Sequence, residues 1–422
     1  MAVSWKPGAT ARVLIGLALG AVAGLALPQF SSETAQYIAA IAQPIGTLWL
    51  SGLQMTVVPL VVSLIVLGVA SAADAASSGR IARRALFVFV AMLSLFAAFA
   101  AIAAPLLLSL LPHNDALSVA LRESAAYTME GKAPGWADWI AGAIPSNAIQ
   151  AAAQGAILPL VVFALFLGFA LTKIDEERRR AVLTLFHGIG DAMIVIVRWM
   201  LLAAPLGVFA LMFVVCASAG LSVVGALATY IALLCVLYLA ATAICYGIAL
   251  VSGATDLRRF AAAILPAQIV AASTQSSLAT LPAMVESAEK SGLPRHVAAL
   301  ALPMAVTLFR ITSPIQYIAA AAFIAWAYGI ELSALQFAGA AALAVAISLG
   351  SVGLPGQAIF AATVIPVAQS LGLPMAPMGL LLAVDAIPDV FATVGNVTGD
   401  LTAANVVARG EPEAARGTTI PG

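Results

Sequence analysis

Three carboxylates and one asparagine stand inside an apolar segment near the C-terminal end of the chain. They are Asp385, Asp389, Asn396 and Asp400, at successive spacings of 4, 7 and 4 residues. These spacings place all four side chains on one stripe of a helix. Ionisable groups at membrane depth are costly and by default mark a substrate or ion pathway. The stripe therefore predicts the binding core of a transporter.

The composition is that of a membrane protein. Of 422 residues, 63% are hydrophobic and 9% are charged, whereas a soluble domain is about 25% charged. The mean hydropathy is +1.06. The formal net charge of zero gives no indication of a nucleic-acid partner, and the three cysteines lie in apolar runs typical of core residues. The polar residues offer no nucleophile–base pair, metal-ligand cluster or nucleotide loop, so we predict no enzyme and no cofactor.

The elements that must position this stripe are membrane-spanning helices. Each crossing of the bilayer needs about 20 apolar residues. The apolar segments of the first part of the chain predict helices near 11–28, 40–74, 81–112, 152–173, 183–215 and 223–252. Fifteen of the nineteen basic residues fall on one side of these segments. The positive-inside rule then puts both termini in the cytoplasm, and we expect a multi-pass protein of the cell inner membrane.

The C-terminal half has a different pattern. The apolar segments at 271–282 and 348–356 are interrupted by small polar residues, glycine and proline, and their flanking arms are too short to cross a bilayer. Irregular backbone at membrane depth is tolerated only where it lines a cavity, and a matched pair of broken segments marks a midplane binding site. We interpret this half as two re-entrant hairpins, each followed by a broken helix: 258–289 with 296–328, and 332–369 with 374–409.

Several motifs make the chain similar to a known family. They are 55–60 (MTVVPL), 204–211 (APLGVFAL), 276–282 (SSLATLP), 353–356 (GLPG) and 396–400 (NVTGD). With these motifs the chain resembles the dicarboxylate/amino acid:cation symporter family, which contains glutamate, aspartate and neutral amino acid transporters.

The resemblance implies an all-α fold of eight transmembrane helices and two re-entrant hairpins, built from inverted repeats. It also implies a homotrimer in which a transport unit moves as an elevator and the second hairpin is the extracellular gate. The divisions would be helices 1–2 of a scaffold (1–80), helix 3 of the transport unit (81–112), an extracellular loop with scaffold helices 4–5 (113–222), the transport core (223–409) and a disordered tail (410–422).

The resemblance also assigns substrate contacts. Asp389 occupies the position that binds the substrate ammonium. Asn396, together with the amides and hydroxyls around Ser276 and Ser277, occupies the position that holds the α-carboxylate, and a helix N-terminus at a hairpin tip suits an anion. Thr393 and Ser313 would line the side-chain end of the substrate, or serve only as helix-packing hydroxyls.

One departure from the family concerns substrate choice. The arginine that holds an acidic side chain should fall at Ala392, and the position in the first hairpin that substitutes for it is Gln275. Without a guanidinium fork, a second substrate carboxylate has no obvious partner. This favours a small neutral or polar amino acid.

A second departure concerns one sodium site. The family's Asn-Met-Asp-Gly-Thr motif reads Phe-Arg-Ile-Thr-Ser at 309–313. The positions that supply oxygen ligands have become apolar, namely Phe309, Ile311, Phe89, Met92 and Leu93. Hard cations need oxygen ligands, so we infer that this site is lost.

Arg310 has appeared in the same place. A buried guanidinium is expensive unless it is paired, and Asp385 and Asp400 are the available partners. Three interpretations stay open: a tethered cation that replaces one sodium ion, a contact for a substrate carboxylate, or a side chain that extends to the interface.

The remaining coupling also stays open. Asp400 persists, and carbonyls at Ser348, Leu349 and Ser351 would offer a gate sodium site, although no metal site is certain. Proton coupling through the aspartates is the alternative, so the coupling ion is H⁺ or Na⁺. We expect a secondary active symporter of a small neutral or polar amino acid. The alternatives are a proton-coupled carrier of dicarboxylates or acidic amino acids, and a sensor without coupling.

Overall fold

A computed structural model describes residues 9–77, 79–111, 142, 144–252, 256–350 and 356–409. Within this part of the chain there are sixteen α-helices and no strand, which confirms the all-α prediction. The helices are α1 (Ala9–Phe30), α2 (Ser32–Gln54), α3 (Val57–Ser77), α4 (Arg80–Ser109), α5 (Ala148–Ala153), α6 (Ile157–Leu171), α7 (Glu176–Ala219), α8 (Ser222–Ser252), α9 (Leu257–Thr274), α10 (Ser277–Ser291), α11 (Arg295–Leu308), α12 (Thr312–Tyr328), α13 (Ala334–Gly350), α14 (Gly356–Ser370), α15 (Met378–Val384) and α16 (Asp389–Ala408). The predicted tail, most of the 113–150 loop and the second hairpin tip with Ser351 lie outside the described residues.

The described residues contain six helical segments that are long and apolar enough to cross a membrane, or seven if α15 and α16 form one bent span. The predicted span near 152–173 is represented by α6, which has 15 residues. At 1.5 Å per residue α6 is about 22 Å long, less than the hydrocarbon core of about 30 Å. The count of eight spans therefore stays a prediction.

Two helices begin earlier than hydropathy predicted. The span predicted from residue 40 begins at Ser32, because the Ser31 side chain accepts a hydrogen bond from the Thr34 backbone N–H and caps α2. The span predicted from residue 183 begins at Glu176, where Glu176 and Glu177 favour a helix N-terminus and Glu176 pairs with Arg180 one turn later. Hydropathy alone misses such polar first turns.

The first re-entrant hairpin consists of α9 and α10. The Arg259 Nε donates to the Lys290 carbonyl oxygen at 3.4 Å, so the start of α9 lies beside the end of α10. At the tip Gln275 has a positive φ of 50°, and the Ser276 hydroxyl accepts a hydrogen bond from the Ala279 N–H. The left-handed residue followed by an N-cap reverses the chain between the two helices. This hairpin packs on α8, α11 and α16.

The second hairpin consists of α13 and α14, which pack against each other and against α3. The helix after each hairpin is broken, and proline explains both breaks. Pro314 lacks the N–H that would bond to the carbonyl of Arg310, and α11 ends at Leu308. Pro388 likewise cannot bond to the carbonyl of Val384, where α15 ends, and α15 and α16 are bent by 73°.

Candidate substrate and ion site

Asn396 of α16 is hydrogen-bonded to the break between α11 and α12. Its buried Oδ1 accepts hydrogen bonds from the backbone N–H of Thr312 at 3.1 Å and from the Thr312 hydroxyl at 3.0 Å. The first residue of α12 thus finds a partner for an N–H that its own helix cannot satisfy. The Nδ2 of Asn396 makes no hydrogen bond with a described residue. It remains a donor for a ligand oxygen, consistent with the predicted role at the substrate carboxylate.

Glycines on α16 allow this close approach. A Cβ at Gly395 would lie 2.9 Å from the Cγ2 of Thr312 and 3.3 Å from the Oγ1 of Thr242. A Cβ at Gly399 would lie 3.0 Å from the side chain of Ile311. These two positions of the NVTGD region therefore seat α16 directly against the break between α11 and α12.

The tip of the first hairpin lies over the bend between α15 and α16. The Gln275 Nε2 donates to the Ala386 carbonyl oxygen at 3.5 Å. Farther along α9, the Gln268 Nε2 donates to the Thr398 hydroxyl at 2.8 Å and holds the hairpin on α16. The structure thereby brings the tip serines to the carboxylate segment. The N-terminus of α10 carries the partial positive charge that suits an anionic group.

Ser276 and Ser277 differ in the hydrogen-bonding capacity that remains for a ligand. The Ser276 hydroxyl accepts the capping hydrogen bond from Ala279, which leaves its own proton free to be donated. Ser277 is buried, and its hydroxyl makes no hydrogen bond with a described residue. Both are placed to contact a carboxylate, and their binding role stays a prediction.

Asp389 is the first residue of α16. Its side chain is partly buried, and its carboxylate makes no hydrogen bond or ion pair with any described residue. The helix N-terminus supports a negative charge there. A half-buried carboxylate without a protein partner fits the predicted contact with a substrate ammonium.

Thr393 and Ser313 are both buried. The Thr393 hydroxyl donates to the backbone carbonyl of Asp389 at 2.9 Å, which fits the helix-packing alternative. The Ser313 backbone N–H bonds to the Arg310 carbonyl, and its hydroxyl has no partner among the described residues. Ser313 thus retains more capacity for a ligand than Thr393.

Asp385 has a partner that the sequence did not indicate. Its Oδ1 accepts a hydrogen bond of 2.6 Å from the Gln316 Nε2, whereas Arg310, one of the available partners by sequence, makes no ion pair with it within 4.0 Å. Gln316 lies on α12, one turn after Thr312. Sequence reasoning missed it, although it is an isolated amide in an otherwise apolar helix.

Asp400 is the most unusual carboxylate of the chain. It is 1% exposed, and neither carboxylate oxygen has a hydrogen-bond partner among the described residues. The positive charge of Arg310 acts on both Asp389 and Asp400. Arg310 nevertheless makes no ion pair within 4.0 Å in the described part of the chain. Compensation of Asp400 by Arg310 would therefore act through space, and it stays a prediction.

The positions of the predicted lost sodium site pack as an apolar cluster. Phe89 of α4 stacks on Phe309 with ring centroids 4.7 Å apart and an interplanar angle of 15°. Met92, Leu93 and Ile311 are also buried. The two distant segments that the sequence comparison placed together do meet. Their side chains fill the space with carbon and offer no oxygen to a cation.

The second hairpin contributes the end of α13. Ser348 is buried and donates to the Ala344 carbonyl at 2.7 Å, and Leu349 is half-buried beside it. Both residues lie in the last turn of α13, where the helix dipole presents partial negative charge. This end of the helix is compatible with the predicted cation contact, which stays a prediction.

Comparison with known proteins identifies the family. The sequence profile of the sodium:dicarboxylate symporter family matches residues 9–410. The chain belongs to this family. Its members are cation-coupled symporters of dicarboxylates and amino acids, not enzymes, which confirms the resemblance seen in the motifs.

Relatives of this symporter have related names. The chain is 26% identical to the proton/sodium-glutamate symport protein of Bacillus subtilis (strain 168) over 414 residues, 96% of this chain and 93% of the relative. It is 26% identical to the proton/glutamate-aspartate symporter of Escherichia coli (strain K12), covering 95% and 92%. It is 29% identical to the neutral amino acid transporter B(0) of Rattus norvegicus over 271 residues, 60% of this chain and 45% of that protein.

Proposed function

We propose that this symporter carries a small neutral or polar amino acid. The observation that carries the proposal is a pair of groups on α16 that have no hydrogen-bond partner among the described residues, the carboxylate of Asp389 and the Nδ2 of Asn396. One suits an ammonium and the other a carboxylate, which are the two groups that every α-amino acid shares. The hydroxyls at the tip of the first hairpin add further donors beside them.

The side-chain end of the site supports a substrate without a second carboxylate. Ala392 lies on α16 less than one turn after Asp389 and is buried. The alternative position in the first hairpin is Gln275, whose amide already donates to Ala386. Neither position supplies a guanidinium fork for a second carboxylate.

A second candidate is an acidic amino acid or dicarboxylate. Arg310 favours it, because its guanidinium makes no ion pair within 4.0 Å with any described residue and retains donors for a substrate carboxylate. Two relatives that span most of this chain are named for glutamate, or for glutamate and aspartate. In this arrangement Arg310 would bind substrate from α11–α12 instead of from α16.

Coupling follows from the same residues. Arg310 is a tethered cation that takes the electrostatic role of one sodium ion, since the Phe89–Phe309 pair replaces oxygen ligands with carbon. Asp400 then remains a buried carboxylate that accepts no hydrogen bond from the described residues. Such a group requires a proton or a bound cation in addition to the distant guanidinium. The mobile coupling ion is H⁺, or Na⁺ at Asp400 and the end of α13.

The proposed placement has both termini in the cytoplasm of the cell inner membrane. The described chain is a single copy, and apolar side chains such as Tyr37 and Leu48 on α2 and Trp199 and Leu202 on α7 are exposed on it. Lipid and other copies of the predicted homotrimer would cover them. Leu278 at the tip of the first hairpin is exposed, whereas the second hairpin packs on α3. This difference supports a state in which the binding site opens to the cytoplasm at the first hairpin.

The test is uptake of labelled serine and aspartate by proteoliposomes under separately imposed inward proton and sodium gradients. We expect serine uptake driven by protons and indifferent to sodium. Aspartate uptake that exceeds serine uptake and disappears in Arg310→Gln would favour the second candidate. Absence of counterflow for both substrates in a folded preparation would contradict transport of either class. The matched control is Asp256→Asn at the start of the first hairpin, which should leave uptake unchanged.

A further inference from the structure

An apolar cavity of about 310 Å³ lies between α3, α4, α6 and α13. Every residue that lines it is apolar or glycine. The wall formed by α3 consists largely of small residues, including Gly68, Ala72 and Ala73, and α13 contributes Ala346 and Leu349. An apolar space of about 150 Å³ is enough to hold a benzene ring. This cavity therefore has room for about ten methylene-sized groups of roughly 30 Å³ each.

The length of the cavity matches one leaflet of a bilayer. Along α3 its lining runs from Ile65 to Ala76, and Ala76 is next to the last residue of the helix. At 1.5 Å per residue this is about 16 Å, and half of a hydrocarbon core of about 30 Å is about 15 Å. The cavity thus starts beside the turn between α3 and α4 and runs along α3 for about the depth of one leaflet.

A positive charge lies at the mouth. Arg83 of α4 is exposed, and its side chain makes no hydrogen bond or ion pair with a described residue. It stands one turn before Leu86, which lines the cavity, and before Phe87, which is 75% exposed. The nearby acidic residue Asp74 is paired with Arg179. The mouth therefore presents an unpaired cation at headgroup depth.

We propose that this cavity binds one acyl chain of an anionic phospholipid and that Arg83 holds its headgroup. An apolar slot of leaflet length suits an acyl chain, and a basic side chain at its membrane edge attracts an anionic headgroup. Because α13 belongs to the second hairpin, the bound chain also links that hairpin to α3 and α6. The proposal does not depend on which substrate the symporter carries.

The test uses the delipidated full-length protein in neutral detergent. Binding of phosphatidylglycerol and of phosphatidylcholine is measured by native mass spectrometry and by the shift in melting temperature. Ala73→Phe and Ala346→Phe fill the cavity from opposite walls, and Arg83→Gln removes the headgroup contact. Arg258→Gln, an exposed arginine at the start of the first hairpin, is the matched control.

We expect wild type and Arg258→Gln to retain one phosphatidylglycerol that both filled variants lose. Arg83→Gln should bind it about fivefold more weakly. Equal binding of both lipids by wild type would overturn the headgroup assignment, and full binding by a folded filled variant would overturn the acyl-chain site. If both filled variants fail to fold, phosphatidylglycerol with a photoreactive acyl chain is cross-linked to wild type instead. Adducts confined to residues outside the cavity would then reject the proposal.

Discussion

Replacing Arg310 by alanine removes the positive charge that acts on two buried or half-buried carboxylates. Arg310 has no ion pair within 4.0 Å among the described residues, so each interaction is weaker than the approximately 4 kcal/mol of unit charges 4 Å apart at an effective dielectric constant of 20. At 8 Å the same relation gives about 2 kcal/mol. Asp400 is fully buried and Asp389 is not, so Asp400 should account for most of the effect. We expect Arg310→Ala to lower the free energy of unfolding by about 2 to 4 kcal/mol.

The assay is a double-mutant cycle of Arg310→Ala and Asp400→Asn, measured by unfolding in mixed micelles. If Arg310 compensates the charge of Asp400, the neutral side chain of Asp400→Asn needs no compensation. The double variant should then recover most of the stability that Arg310→Ala alone loses. We expect a coupling energy of about 2 kcal/mol, well above the roughly 0.5 kcal/mol within which independent sites add. Arg198→Ala is the matched control, because Arg198 is an exposed arginine of α7 and should be additive with Asp400→Asn.

Additivity of the Arg310 and Asp400 substitutions within about 0.5 kcal/mol would refute the tethered-cation reasoning. So would Arg310→Ala proteoliposomes with wild-type uptake and unchanged ion dependence. Arg310→Lys keeps the charge without the planar fork. It should retain stability in the tethered-cation case and lose aspartate uptake in the substrate-contact case, so it separates the two functional interpretations.

Asp389→Asn should reduce serine counterflow by more than about a hundredfold, because the substrate ammonium loses its partner. The melting temperature should stay near that of wild type, since the carboxylate has no partner among the described residues, and retained counterflow would show that the ammonium binds elsewhere. In a denaturation assay, Gly395→Ala should lower the free energy of unfolding by about 1 to 3 kcal/mol, because the added Cβ overpacks against Thr312; a gain of about 1 kcal/mol in helix propensity offsets part of this loss. The control Gly225→Ala has open space around its Cβ and should be neutral or stabilising. Leu278→Cys should react with a membrane-impermeant maleimide in inside-out vesicles but not in right-side-out vesicles; the control is Ala271→Cys, whose position is fully buried and should not react. Labelling of Leu278→Cys only from the periplasmic side would contradict the proposed orientation.

Sequence patterns that depend on local rules predicted most of the residues that the structure brings together around α16; their roles in binding stay predictions. Helical spacing predicted Asp385, Asp389, Asn396 and Asp400 on one stripe of one helix. The last three lie on α16, but the prediction was wrong for Asp385, which follows α15 at the 73° bend that proline makes before α16. The broken helices were predicted from their polar and proline residues, since proline removes a backbone donor wherever it occurs. The motif comparison also placed Phe89 beside Phe309, although more than two hundred residues separate them, because complementary substitutions occur at both positions.

What could not be predicted depends on long-range geometry. The hydrogen bond from Gln316 to Asp385 joins two helices, and an isolated glutamine in an apolar helix does not indicate which carboxylate it will meet. The separation of Arg310 from Asp400 is set by how α16 packs on the break between α11 and α12. The sequence predicts that both charges lie at membrane depth, and in the structure Asp400 is buried while Arg310 is half-buried. The sequence does not show that Asp400 lacks every hydrogen bond within the described structure.

The charge balance of the site limits how many ions can accompany the substrate. Asp385, Asp389 and Asp400 contribute three negative charges, and Arg310 offsets one of them. A neutral amino acid adds no net charge, because its ammonium meets Asp389 and its carboxylate meets Asn396 and the hairpin tip. Two negative charges remain, and buried net charge is expensive, so at most two mobile cations can enter with each such substrate before the site becomes positive. An acidic substrate bound through Arg310 would raise that limit to three, because it adds one negative charge. The charge of the substrate and the number of coupled cations are thus linked through Arg310. Measuring uptake of each substrate under separate ion gradients tests both.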